Sequence, residues 1–179
     1  SINVSEGSIL SFNGAINGLR SYLGVAGGID VPLVMDSRST YVKGAIGGMK
    51  GRALESGDVI STFVSDPRSQ FVERLLPEQH QPLYGHEHSV RVILGPQDDY
   101  FTSKGINTFL NSTYTVSIQS DRMGYRLEGP TIEHKAGSDI LSDGTPLGAV
   151  QVPGDGQPII LLSDRGTTGG YTKIATVIS

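Results

Sequence analysis

Glycine and proline cut this chain into many short segments, and that constrains its fold more than any other feature. With 24 glycines and 9 prolines among 179 residues, a β-rich fold is favoured, because glycine is costly inside a helix and proline lacks the backbone donor. The stretch "GAIGGMKGRALESGDVIST" is the extreme case: its glycines leave room only for loops and short strands. Hydrophobic residues amount to 37% and are spread along the chain, enough for a packed interior.

Strand signals recur from Tyr114 onward. "YTVSIQS", "GYRLEG", "GAVQV", "PIILLS" and "KIATVIS" follow at short intervals with Gly, Pro and Asp between them, the pattern of an all-β barrel or sandwich carrying one helix. Upstream, "SVRVILG" places Val90, Val92 and Leu94 on one face of a further strand. "RSYLGVAGG" (Arg20 to Gly28) reads as a strand stopped by two glycines. The opening "SINVSEGSILSF" alternates like a strand entered partway, as in a fragment of a longer chain. One helix signal stands out, within about Pro96 to Asn111. Asp98 or Asp99 would cap it, Tyr100, Phe101, Thr108 and Phe109 fall at helical spacings, and Gly105 inside it costs roughly 1 kcal/mol relative to alanine. The polar, proline-marked segment at about 65–88 reads as a connecting excursion over the surface of a single domain, 1–179.

Several function classes drop out. No cysteine is present, which excludes disulfides, thiolate metal sites and a cysteine nucleophile. A net charge of −4 with no basic block argues against nucleic acid as a partner. No apolar run reaches the roughly 18 residues a membrane span needs, so a soluble, cytoplasmic protein is expected. His86 and His88 flank Glu87 without a third ligand at metal spacing, and no metal is assigned. Lys50 in "GGMKGR" reads as a lysine of a glycine-rich loop rather than a biotin carrier. Neither a Walker-type phosphate loop nor a dinucleotide "GxGxxG" occurs.

Three polar clusters remain as candidates for chemistry. In "LLSDRGTTGGYTKIA" (Leu161 to Ala175), Gly169 and Gly170 permit close backbone approach to a ligand, Thr167 and Thr168 add hydroxyls, and Asp164 offers a base or orienting acceptor. A plain glycine hairpin with Asp164 capping the turn explains the same residues. "QSDRMGYRLEGP" sets Asp121, Arg122 and Arg126 around a turn, and arginine suits bidentate recognition of carboxylate or phosphate. A surface Asp–Arg pair is the plainer reading. "SDGTPLGAVQVPGDGQP" presents the Gln151 amide from a strand end, unless the backbone satisfies it. Together the three are expected to line one concave polar pocket with "SDRGTTGGYTK" as a loop.

The long stretches "RSYLGVAGGIDVPLVMDSRSTYVKGAIGGMKGRALESGDVI", "GPQDDYF", "SDRMGYRLEGP" and "GAVQVPGDGQPIILLSDRGTTGGYTKIATVI", in that order, carry a resemblance. The chain resembles the later part of the bacterial family that includes the 5-oxoprolinase C subunit, the KipI antagonist and allophanate hydrolase subunit 2. The resemblance implies a cyclophilin-like β-barrel and kinship with the carboxyltransferase portion of urea carboxylase. Against the family's "DRQTTGGYPKIA", the residues Asp164, Thr167, Thr168, Gly169, Gly170, Tyr171 and Lys173 match; Gly166 stands for the usual glutamine and Thr172 for the usual proline. Asp36 stands where glycine is common.

What the resemblance implies about activity is a subunit of an ATP-dependent 5-oxoprolinase-type amide hydrolase, opening a cyclic amide to glutamate. Asp164, Lys173 and Gln151 would be catalytic, and Arg122, Arg126, Thr167, Thr168, Gly169, Gly170 and Tyr171 would bind the small amide substrate. No cofactor is assigned to this chain alone, and ATP is implied for the full complex. The implied partners are a KipI-like protein of the B type and a LamB/YcsF-like subunit. Two alternatives stay open: carboxyl transfer to a urea-like amide, with biotin on a separate carrier, and a non-catalytic protein that binds a KipI-like regulator.

Overall fold

A computed structural model describes residues 2–15, 18, 20–63, 75–82 and 84–178. The chain divides into two compact units, residues 1–86 and 87–179. Residues 65–74 and 83 of the expected excursion at about 65–88 lie outside the described residues.

The first unit is built from turns. Its backbone pairings are isolated bridges, Ile29 with Thr62, Val34 with Ser37 and Tyr41 with Ile46, and 3-10 turns span Val42–Gly44 and Glu78–His80. The two strands expected here do not form. At the start, Ser8 N–H donates to Ser5 O at 3.0 Å and Gly7 takes a φ of +80°, which closes a turn. Residues 20–28 meet no partner strand among the described residues, and a strand without one leaves its donors and acceptors unmatched. Pairing begins only at Ile29, after Gly27 and Gly28 have turned the chain with φ of +84° and +81°.

The second unit is mainly β with one α-helix. Strands β1 (Val92–Leu94), β2 (Thr115–Val116), β3 (Gly124–Glu128), β5 (Ala149–Gln151), β6 (Ile159–Leu161) and β8 (Lys173–Val177) form a six-stranded sheet in the order β1-β8-β5-β6-β3-β2. Strands β4 (Asp139–Gly144) and β7 (Thr168–Tyr171) form a separate two-stranded sheet. Every pairing is antiparallel. Strands β1 and β2 are edges of the larger sheet, and no pairing among the described residues closes it into a barrel.

The five strand signals after Tyr114 each yield a strand, but two elements differ from expectation. Strand β4 had no clear signal, because "SDILSDG" is polar. Thr168–Tyr171, expected as a loop, is strand β7: its backbone finds partners in β4, with Thr168 opposite Gly144 and Tyr171 opposite Asp139. The loop shrinks to the residues between Leu161 and Thr168.

Helix α1 (Ser103–Asn111) lies inside the expected window but is shorter. Its cap is Thr102, whose Oγ1 accepts Gly105 N–H at 2.9 Å. Asp98 and Asp99 belong instead to a 3-10 turn, Asp98–Tyr100. Gly105 sits inside the helix because a Cβ there would run into the Glu133 carbonyl, so close packing accounts for a residue that propensity disfavours. Tyr100 and Phe101 precede the helix.

One face of the large sheet carries the core, made of Phe101, Ile132, Val150, Val152, Ile174 and Ala175. Ile106 and Phe109 of α1 pack against it with Val92, Tyr114, Ile160 and Val177. Burying each such side chain contributes roughly 1.5–3 kcal/mol.

Candidate functional site

In a strand, neighbouring side chains point to opposite faces. Val150 and Val152 enter the core, so Gln151 between them points to the other face, where it is still only 7% exposed. Strand β8 supplies its neighbour through an irregularity. Val150 pairs with Ala175, but the next pair is Gln151 with Lys173, so β8 accommodates one extra residue there. Such a bulge re-aims a side chain, and here it sets Lys173 opposite Gln151 while Ile174 enters the core.

The same register extends across four strands. Lys173 pairs with Gln151, Gln151 with Ile159, and Ile159 with Arg126. Arg126, Gln151 and Lys173 therefore stand in one cross-strand row, bridged by Ile159. Arg126 is the exposed end of that row and Lys173 the buried end.

Gly169 of β7 covers Gln151. A Cβ on Gly169 would collide with Gln151 Nε2 and come within 3.1 Å of Thr145 Cγ2, so the absence of a side chain is what admits the amide. Thr145 is itself fixed to the loop after β6: its Oγ1 donates to Gly166 O at 2.5 Å, its N–H to Thr167 O at 3.0 Å, and its carbonyl accepts Arg165 Nε–H at 2.7 Å. The Gly166 backbone carbonyl thus anchors Thr145, which lines the wall beside Gly169.

The Lys173 side chain is 2% exposed. A buried charge is tolerated only when paired, and the partner is Asp143 Oδ2 at 3.4 Å, on a side chain that is 55% exposed. Asp143 is held in turn. Gly144 N–H donates to Oδ1 at 2.7 Å and Gln97 Nε2 to Oδ2 at 3.4 Å. The Gly144 bond, and next the Lys173 charge, keep the Asp143 carboxyl below its ordinary range. Gln97 closes the ring by accepting Lys173 N–H on Oε1 at 3.2 Å. Gln151 Nε2 has no hydrogen-bond partner among the described residues, and Lys173 Nζ has the long contact to Asp143. Two buried donor groups thus stand on paired strand positions, whose Cα atoms are about 5 Å apart, with hydrogen-bonding capacity to spare.

The remaining sequence candidates lie elsewhere in the sheet. Asp164 is engaged by Arg122, which donates from Nε at 2.8 Å and from Nη2 at 3.0 Å, while Asp164 N–H reaches Arg122 O at 3.0 Å. This clamp ties together the residues just before β3 and just after β6. Gln151 faces Ile159 at the start of β6, and Asp164 lies three residues past its end. Both partners are well exposed, 63% and 40%, so the pair contributes at most about 1 kcal/mol. Thr167 offers its carbonyl to Thr145. Gly170 lies against β4, with Ile140 O 3.5 Å from a notional Cβ. Tyr171 is 42% exposed opposite Asp139. At Thr172, where the family pattern has proline, the N–H donates to Ser138 O at 2.9 Å, a bond proline lacks. Asp143, Gln97 and Thr145 went unrecognised in the sequence. Gln97 lies within "GPQDDYF" and Asp143 and Thr145 within "SDGTPLGAVQVPGDGQP", but neither stretch singles them out, and Asp143 is 30 residues from Lys173.

A family model described as "Carboxyltransferase domain, subdomain A and B" matches residues 1–179. The 5-oxoprolinase C subunit of Escherichia coli strain K12 is 42% identical over 175 residues, covering 98% of this chain and 54% of that protein. Its Haemophilus influenzae counterpart is 38% identical, with the same coverage. The chain thus spans about half the length of these curated relatives. The urea amidolyase of Saccharomyces cerevisiae is 33% identical over 98% of this chain and 10% of its own length. Among solved structures, the urea amidolyase of K. lactis superimposes with a TM-score of 0.71 at 32% identity, over 86% of this chain and 10% of that one.

Proposed function

The chain belongs to the family of carboxyltransferase domains, subdomains A and B, and from that premise we propose that it serves in a 5-oxoprolinase-type amide hydrolase. In this reading it opens a cyclic amide to glutamate together with partner subunits. One observation carries the proposal: two buried donor groups on paired strand positions, Gln151 Nε2 without a hydrogen-bond partner among the described residues and Lys173 Nζ with a contact to Asp143 Oδ2 at 3.4 Å. Burying the Gln151 amide without an acceptor costs about 1–3 kcal/mol, and a fold that retains it opposite a buried lysine has an acceptor to receive. An amide carbonyl oxygen fits. Attack at its carbon turns that oxygen into an oxyanion, which an ammonium and an amide N–H stabilise more strongly than the starting carbonyl.

Arg126, at the exposed end of the row, suits the substrate's carboxylate. The Arg122–Asp164 clamp, with Thr167, Thr168, Gly170 and Tyr171, is assigned to shaping the surrounding wall. Asp164 remains the proposed base, which requires Arg122 to release it when substrate binds. ATP is consumed by the complete assembly, with a KipI-like and a LamB/YcsF-like subunit as partners, in the cytoplasm. Closure of the sheet into a cyclophilin-like barrel belongs to the same reading.

The similarity to urea amidolyases supports a second reading, carboxyl transfer to a urea-like amide from biotin on a separate carrier. The deciding experiment reconstitutes the complete protein with its partner subunits and follows glutamate formation from 5-oxoproline and ATP. Lys173→Met and Gln151→Leu are expected to abolish it, and the chain alone is expected to show none. Full activity in Lys173→Met would overturn the assignment. Urea carboxylation with a biotin carrier, and no glutamate, would select the second reading.

A further inference from the structure

We propose that Asp143, braced by Gln97, is the residue that positions the Lys173 ammonium beside the Gln151 amide; its consequence for catalysis rests on the reading of these two donors given above. A lysine side chain has four rotatable bonds, and β8 fixes only its root. Burial holds the stem, and the charge at the far end is directed by its contact at Nζ. Among the described residues that contact is Asp143 Oδ2, at 3.4 Å.

Asp143 is unusually well placed to impose one position. A half-exposed aspartate ordinarily samples several rotamers, but both oxygens of this one are held, Oδ1 by Gly144 N–H and Oδ2 by Gln97 Nε2. The oxygen that faces Nζ is therefore the one that Gln97 holds. Gln97 in turn takes its place from the Lys173 backbone N–H. The circuit runs from the root of Lys173 through Gln97 and Asp143 to the tip of Lys173, and joins three segments far apart in sequence.

Its geometry differs from that of a purely structural ion pair. A structural pair is most stabilising when every donor at the buried end is used. Here one carboxylate oxygen at 3.4 Å balances the charge, which engages at most one N–H of Nζ and leaves the others, like the neighbouring Gln151 amide, for another acceptor. That arrangement orients a cation while keeping its remaining donors available.

The test uses the complete protein with its partner subunits, 15N-labelled at lysine. The Lys173 side-chain ammonium resonance is assigned by its loss in Lys173→Met. In Asp143→Asn and Gln97→Met it is expected to shift or broaden, while those of Lys104 and Lys135 stay in place. For the cyclic amide, kcat of Asp143→Asn is expected to fall on the order of 10- to 100-fold, the scale of a misplaced catalytic group, with KM little changed and partial recovery in Asp143→Glu. An unmoved Lys173 resonance in both variants, or an unchanged kcat in folded Asp143→Asn, overturns the proposal. If Asp143→Asn does not fold, Gln97→Met decides. If the wild-type assembly turns over no cyclic amide, the functional reading falls, and the resonance still decides whether Asp143 positions Lys173.

Discussion

Gly169 and Gly170 are adjacent in sequence, and the structure gives them opposite tolerance to a methyl group. A Cβ at Gly170 would find Ile140 O at 3.5 Å and Ser142 Oγ at 3.8 Å, ordinary contact distances. A Cβ at Gly169 would overlap Gln151 Nε2 outright and press on Gln151 Cδ at 3.4 Å and Thr145 Cγ2 at 3.1 Å. Neither neighbour retreats easily. Gln151 is buried between two sheets, and Thr145 is tied by hydrogen bonds to Gly166 and Thr167. Overpacking of this kind costs about 1–3 kcal/mol. Gly170→Ala, by contrast, should fall within roughly 0.5 kcal/mol of the parent.

At about 2–4 °C per kcal/mol for a chain of this size, Gly169→Ala lowers the melting temperature by several degrees and Gly170→Ala hardly moves it. Because the displaced atom is the Gln151 amide, turnover in the reconstituted assembly should fall more steeply in Gly169→Ala than its stability loss explains. Calorimetry on both variants with parallel rate measurements checks this. Equal melting temperatures for the two alanine variants would refute the packing argument, and a stable, fully active Gly169→Ala would detach Gln151 from the site.

Met35 and Asp36 both take positive φ, 49° and 59°, in a two-residue turn closed by hydrogen bonds between Val34 and Ser37; Asp36→Gly should stabilise the first unit by roughly 0.5–1 kcal/mol, and a lowered denaturation midpoint would contradict that. Thr102→Ala removes the helix cap and should cost about 1 kcal/mol in chemical denaturation, with Thr102→Ser restoring most of it. In the first unit, Asp58 accepts 2.8 Å bonds from both Arg52 Nη atoms and a 2.7 Å bond from Glu55 N–H. The Arg52 bonds first, and then the Glu55 bond, hold its carboxyl well below the ordinary range. The tie is therefore fully present above about pH 4 and weakens as pH falls through the depressed value; an NMR titration showing release between pH 7 and 5 would refute it.

The parts of the fold that were legible in sequence are those where one segment carries its own signal. Each apolar run after Tyr114 became a strand, because a short β-branched segment between turn residues has little alternative. The helix was legible for the same reason, although its cap was not: choosing Thr102 over Asp98 depends on where Glu133 meets the chain, a contact 31 residues away. Strand β7 was read as a loop because "TTGGY" has the composition of a turn. Only β4, itself polar and unremarkable, makes it a strand. In the first unit residues 20–28 looked like a strand and found no partner strand among the described residues.

The site shows the same division at finer scale. Gln151, Lys173 and Gly169 were all visible as candidates by residue type, but what joins them is register. Regular pairing after Val150 and Ala175 would have set Ile174 opposite Gln151 and turned Lys173 to the other face. One extra residue in β8 reverses this. Nothing in "KIATV" marks the bulge, since it contains neither the glycine nor the proline that usually does. The cause lies outside the strand: Lys173 N–H is taken by Gln97 and Thr172 N–H by Ser138 O, so the start of β8 is held by other segments and its register to β5 must shift. The residue types of the site were therefore local information, and their alignment belonged to contacts from positions 97 and 138.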